Sequence, residues 1–295
     1  MPGFFYGRLF PSGSLHLIHS SYSVHWLSEV PKGLEQNKGN IFVADTSPKT
    51  VFTAYREQSR RDFTMFLSLR AEEVVPGGHM VLTLLGRCKT DPCGNKIWGL
   101  LAQSLVDLAT QFLKHHSCIN ESIFFFGGGE FIEGSDVDTF NLPYYNPCTE
   151  ETKAIVQTEG SFNLDKLRTF ELSWDPCNGD DIVVSGRNVA KSIRAVAEPM
   201  LASHFAGAII DILFINYARR VTEHLALENT KHFNVAILLT RKSIGILVMK
   251  MTEDDSGQNV TNCLQELLLD QLPISTICST SLPGIGLNTR RWRRT

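Results

Sequence analysis

The 295-residue chain is 43% hydrophobic and 20% charged, which suits one large α/β domain or two smaller ones and excludes a disordered or collagen-like chain. Its 28 Lys and Arg against 31 Asp and Glu leave a formal charge of −3, so the basic excess that draws a protein to nucleic acid phosphates is missing. Seven cysteines without a repeated Cys-x-x-Cys spacing point to reduced thiols in the cytoplasm, and neither an export leader nor an apolar run of the ~20 residues that span a bilayer is read.

In chain order, Phe4 to Pro11 reads as an aromatic, turn-containing opening with no room before it for an ordinary first strand and helix. Ser47-Pro48 is a helix start, and Val51, Tyr55, Phe63, Phe66 and Leu67 continue the helical spacing to Arg70. Pro76-Gly77-Gly78 is expected to break that element, and Met80 to Leu85 to form a strand buried on both faces of a parallel sheet. A second helix is predicted from about Asn95 to Leu113, with Ile97, Leu101, Leu105, Leu108 and Phe112 on one face. Residues 111–134 read as an insertion, and 114–134 fit no regular element. A short helix from Thr149 to about Thr158 precedes an extended segment over Phe162 to Leu172. Asn188 to Leu225 gives two helices divided at Pro199, and Phe233 to Leu239 a last buried strand. Residues 1–242 thus read as one domain, and 243–295 as an appended, poorly ordered tail with one helix from Cys263 to Leu272 and a solvated basic end, Arg290 to Arg294.

The densest group of chemical side chains is Ser14 to Trp26. His16 and His19, spaced as on a helical turn, read as satisfied histidines or as two ligands of a zinc site that would need more. His25-Trp26 reads either as core or as an imidazole donor beside a flat wall, suited to an anionic aromatic ligand. Asp138 to Tyr145 offers hard oxygen donors for Mg²⁺, or simply turn chemistry before Pro143. Fingerprints for hydride transfer, P-loop phosphoryl transfer, nucleophile-elbow hydrolysis and zinc proteolysis are all missing.

Three stretches, Pro2-Gly3-Phe4-Phe5-Tyr6-Gly7-Arg8-Leu9-Phe10-Pro11, Ser20-Ser21-Tyr22-Ser23-Val24-His25-Trp26-Leu27-Ser28 and Phe140-Asn141-Leu142-Pro143-Tyr144-Tyr145, closely resemble the plant SABATH methyltransferases. The likeness also runs through Asn37 to Ile41, Glu159 to Phe162 and Ala195 to Phe205, and spans about residues 2–242. It implies a Rossmann-like α/β sheet with a helical cap, S-adenosylmethionine as methyl donor and, as acceptor, the carboxyl group of a small plant acid of the salicylate, benzoate or jasmonate type. A xanthine-like ring nitrogen is a second acceptor class, and a non-catalytic remnant that dimerises or binds a metabolite is the alternative outside enzymology. No acid or base catalyst is implied, because a carboxylate is already ionised near pH 7.

By the same resemblance Phe5 and Ser21 fall at cofactor positions, Tyr22, His25, Trp26 and Trp98 at acceptor positions, and Asn37, Asp138, the Phe140 carbonyl and Asn141 at Mg²⁺ positions. The family's first strands and Gly-rich turn have no counterpart here, Phe4 stands where Ser is usual, 111–134 replaces a shorter helix-to-loop connection, and 243–295 matches nothing in it. The expectation is therefore a truncated or misassembled member that binds S-adenosylmethionine poorly or not at all, homodimerisation being left open.

Overall fold

The computed structural model describes residues 4–88, 96–118, 132–175, 181–205 and 207–243, of which 111–118 are described by their backbone alone. Four strands, β1 (Leu15–Ser21), β2 (Val74–Leu85), β3 (Phe162–Ser173) and β4 (Lys231–Arg241), form one sheet in the order β1-β2-β4-β3. β1 and β2 run parallel, which requires a crossover, and α1 (Lys49–Glu73) supplies it. β4 lies antiparallel to both β2 and β3, so the strand predicted for a parallel sheet has a parallel neighbour on one side only.

The helices are α2 (Lys96–Cys118), α3 (Gly134–Thr139), α4 (Thr149–Glu159), α5 (Ile182–His204) and α6 (Ile210–Leu227). Two cores result. Phe63, Phe66 and Leu67 of α1 and Ile155 and Val156 of α4 pack with Met80, Leu82, Leu84, Val235, Ile237 and Leu239 of the sheet. The other half of α1, through Val51 and Tyr55, enters a helical layer with Leu101 and Leu105 of α2, Val189 and Leu201 of α5 and Leu213 and Tyr217 of α6. One long helix therefore belongs to both sheet and cap, and the expected α/β architecture with a helical cap is what these residues build.

Four local expectations need correction. β1 was not foreseen: its sequence and burial show no clean alternation, with His16, His19, Ser20 and Ser21 among its apolar residues, and at odd spacing on a strand the two histidines point to opposite faces. Pro76-Gly77-Gly78 does not end an element, because β2 begins at Val74 directly after α1 and bulges there, Leu15 pairing with Val74 but Leu17 with His79. Gly77, at φ 78°, and Gly78, where a Cβ would lie 2.7 Å from Val74 Cγ1, make that bulge feasible. Pro199 sits inside α5, flanked by the fully buried Ala197 and Leu201, and the break comes instead at Phe205; packing on both sides outweighs the lost backbone bond. Within 114–134, α2 continues to Cys118 and α3 begins at Gly134, while residues 119–131 and the helix expected over 263–272 lie outside the described residues.

α5 and α6 meet at Gly186, where a Cβ would approach Thr222 Oγ1 to 2.0 Å and the Ala218 carbonyl to 3.0 Å. Gly186→Ala is therefore expected to force the helices apart and to cost about 1–3 kcal/mol, measurable by urea denaturation; an unchanged midpoint would show that the contact yields freely.

Candidate active site

Because β1 and β2 are parallel, their carboxyl ends open on the same side, where open α/β sheets bind ligands. Tyr22 extends the ladder by one bond, its N–H donating to the Thr83 carbonyl at 2.7 Å. The chain then turns sharply: Tyr22, at φ 56°, is the one described non-glycine residue in the left-handed region, a strained conformation that folded structure must hold in place. Its hydroxyl donates to Asn234 Oδ1 at 3.0 Å, and burial pushes that phenol up to about 12. Residues 25–27 next pair antiparallel with 143–145. Leu27 N–H donates to the Pro143 carbonyl at 2.7 Å, Tyr145 N–H to the His25 carbonyl at 2.9 Å, and Trp26 faces Tyr144.

This pairing assembles an aromatic cage. Tyr144, fully buried, lies 5.3 Å from the His25 ring, 5.2 Å from Trp26 and 5.5 Å from Trp98, and the two indoles meet edge to face at 6.0 Å. The Leu85 N–H donates to His25 Nδ1 at 3.1 Å, which assigns the ring proton to Nε2 and makes that nitrogen a donor. Burial, reinforced by the nearby His232, lowers His25 to about 3, so the ring is neutral across the physiological range. Trp98 stands on the first turn of α2, 3% exposed, and its indole Nε1–H has no hydrogen-bond partner. An orphaned buried donor costs about 1–3 kcal/mol, and such a donor in an aromatic cage suits a flat ligand that brings its own oxygen.

The structure thus brings Tyr22, His25, Trp26 and Trp98 to one end of the sheet, and sequence reasoning missed Tyr144, which joins them. Phe5 stacks on Phe66 at 4.9 Å and meets Tyr6 edge-on at 5.1 Å. Tyr6 is buried, its hydroxyl donating to the Trp26 carbonyl, and burial raises its phenol further above the usual range. Ser21 closes β1, its Oγ 3.0 Å from His19 Nε2.

The Mg²⁺ positions also converge, but the oxygens of both amides are already engaged. Asn37 Nδ2 donates to Asn141 Oδ1 at 2.7 Å and to the Phe42 carbonyl at 3.0 Å, and Asn37 Oδ1 accepts from Ser47 at 2.6 Å. The Phe42 carbonyl fixes the amide orientation, since a flipped Asn37 would set oxygen against oxygen. Asp138, the single carboxylate of the set, accepts from the Gly39 N–H at 2.8 Å, and the Phe140 ring packs on Phe205 at 5.1 Å. A hard dication wants oxygens free to converge on it, and the mutually bonded amides of Asn37 and Asn141 do not fit one. Among the described residues no group of three or more His, Cys, Asp or Glu could hold a metal ion either. Millimolar Mg²⁺ and excess chelator are accordingly expected to leave the thermal midpoint unchanged, whereas Asn37→Ala should lower stability by about 2 kcal/mol by stranding Ser47 and Asn141. A midpoint that rises several degrees with Mg²⁺ would overturn this reading.

The described residues thus form an α/β sheet with an aromatic cluster at the carboxyl ends of its parallel strands, and no described helix is long and apolar enough to cross a membrane. The family described as SAM dependent carboxyl methyltransferase matches residues 1–242, and the chain belongs to that family. It is 43% identical over 251 residues to salicylate carboxymethyltransferase of Clarkia breweri, across 82% of this chain and 65% of the relative. Against probable jasmonic acid carboxyl methyltransferase 2 of Theobroma cacao the identity is 44% over 257 residues, across 81% and 64%. The chain therefore spans a little under two thirds of the length of these curated relatives. A solved structure, loganic acid methyltransferase with SAH, superposes with a TM-score of 0.68 at 30% identity over 82% of this chain and 66% of that one, and its Rossmann-like fold is the fold found here.

Proposed function

We propose that the cage is the acceptor pocket of a methyltransferase that esterifies the carboxylate of a small planar or oxylipin acid with the methyl group of S-adenosylmethionine. The observation that carries this reading is the buried, partnerless Trp98 Nε1–H, on a ring packed against Trp26 and Tyr144 in the same aromatic cluster as the neutral His25. Donors of this kind stabilise carboxylate oxygens with charge-assisted bonds, and the named substrates of the relatives, salicylate and jasmonic acid, are acids of that form.

The cofactor supplies an electrophilic sulfonium methyl. When bound, it would give up that methyl to one carboxylate oxygen and leave as S-adenosylhomocysteine, a transfer that would require no proton moved by the protein. The protein's part is to hold that oxygen in line and to exclude water. Tyr22, His25, Trp26 and Trp98 orient the acid, Phe5 and Ser21 border the cofactor, and no residue acts as a base. The four positions matching a Mg²⁺ site in the family have no role in this scheme.

The test is methyl transfer from labelled S-adenosylmethionine by the purified chain to salicylate, benzoate, jasmonate and xanthines. Ester formation with at least one acid is expected, and Trp98→Phe, which keeps the ring and removes the N–H, should raise the KM for that acid about tenfold. Turnover confined to xanthines would overturn the carboxylate reading, and no methyl transfer at all would favour the non-catalytic alternative.

A further inference from the structure

The last turn of α1 holds two charges that the mechanism above does not use. Arg70 is 2% exposed and Glu73 fully buried. Arg70 Nη2 donates to Glu73 Oε1 at 2.8 Å, and Nε lies 2.7 Å from Oε2 as an ion-pair contact off the hydrogen-bond axis. A buried ion pair is weak evidence for stability, since well-packed apolar residues of similar volume often do as well. Its hydrogen bonds show another use. Arg70 Nη1 donates to the Phe5 carbonyl at 3.2 Å and Nη2 to the Gly7 carbonyl at 2.6 Å, while Glu73 Oε1 accepts from the N–H groups of Leu9 at 2.6 Å and Phe10 at 3.2 Å.

Four backbone groups of one irregular segment are thus satisfied by a single pair, carbonyls by the cation and amides by the anion. Nothing of one sign could do both. The segment has no strand partner, so the pair replaces a ladder. Its first two side chains lead toward the site: Phe5 stacks on Phe66, over which the Arg70 guanidinium sits at 5.2 Å, and Tyr6 donates to the Trp26 carbonyl.

We propose that Arg70 and Glu73 are positioning residues for methyl transfer, clamping the strap Phe5–Phe10 so that Phe5 borders the cofactor and Tyr6 sets the height of Trp26 in the acceptor cage. This assignment rests on the pocket reading above, but the clamp itself can be tested without turnover.

The double variant Arg70→Met/Glu73→Leu removes both charges together and avoids stranding either one. Three quantities are compared with the unmodified chain: the thermal midpoint, the rate of tryptic cleavage after Arg8, which is exposed within the strap, and the Kd for S-adenosylhomocysteine by calorimetry. The expected result is a midpoint within a few degrees, cleavage at least tenfold faster and a Kd raised about tenfold. A variant with wild-type midpoint, cleavage rate and Kd would show that the strap does not depend on the pair, and that outcome overturns the assignment. Faster cleavage with an unchanged Kd overturns it equally, by showing a clamp without influence on the site. If the unmodified chain binds no S-adenosylhomocysteine, the methyl-transfer reading fails and takes the positioning role with it, while the cleavage rates still report whether the clamp exists. Should the double variant misfold, Arg70→Lys, which keeps the charge but loses the fork, is to show faster cleavage and a raised Kd at an intact midpoint, and wild-type values for both would overturn the proposal.

Discussion

Tyr144→Ala is expected to lower stability by about 3–5 kcal/mol, the usual cost of emptying a large buried aromatic site, and to abolish measurable binding of the acceptor acid. The ring is fully buried and touches His25, Trp26 and Trp98 at once, so its loss leaves a cavity that three neighbours line and none can fill without moving. Tyr144→Phe retains those ring contacts and should keep most of the acid affinity. Urea denaturation together with equilibrium dialysis against labelled benzoate measures both quantities. A stability loss below about 1 kcal/mol in Tyr144→Ala, near the value for ordinary surface changes, would mean that the cage collapses freely and is not preformed.

The second large effect is on acid stability. Burial holds His25 at about 3 and His232 at about 4 in the folded protein, against an ordinary 6.5. Between those values and 6.5 the unfolded chain binds more protons than the folded one, so stability rises with pH across that window. The contribution is complete above pH 6.5 and is lost as pH falls toward the folded values. At about 1.4 kcal/mol per unit, the loss by pH 5 is roughly 2 kcal/mol for each histidine. Denaturation free energies at pH 7.5, 6 and 5 should therefore be flat at first and then fall, and His25→Gln should flatten part of the fall. A fall of equal slope in wild type and variant would remove His25 from the account. Methyl transfer itself should change little between pH 6 and 8, because neither the neutral His25 nor a carboxylate acceptor changes charge there.

What could be read from the sequence followed the strength of each local pattern. α1 was legible because Val51, Tyr55, Phe63 and Phe66 keep helical spacing behind a Ser-Pro start, and the sheet strands 80–85 and 233–239 because they are short apolar runs. β1 was hidden by its polar residues, the bulge at Pro76-Gly77-Gly78 looked like a break, and Pro199 looked like a helix end because tertiary packing is invisible in one dimension. Tyr22, His25 and Trp26 stand together in the chain and drew attention by density alone, whereas Trp98 entered only through resemblance and Tyr144 only through the 25–27 to 143–145 pairing. Arg70 and Glu73 drew no reading from the sequence, because nothing in their i, i+3 spacing shows that both are buried against another segment.

The central claim, that the cage receives a carboxylate on its free indole donor, is tested most directly by the indole N–H resonances of the ¹⁵N-labelled protein during titration with an aromatic acid in the presence of S-adenosylhomocysteine. The chain has four tryptophans, and comparison with Trp98→Phe assigns the relevant signal. The Trp98 Nε1–H signal is predicted to move downfield and to saturate with the acid, as an unbonded donor gains a charged acceptor. If the acid binds and that signal stays where it was, the donor does not meet the ligand and the account of this pocket is wrong.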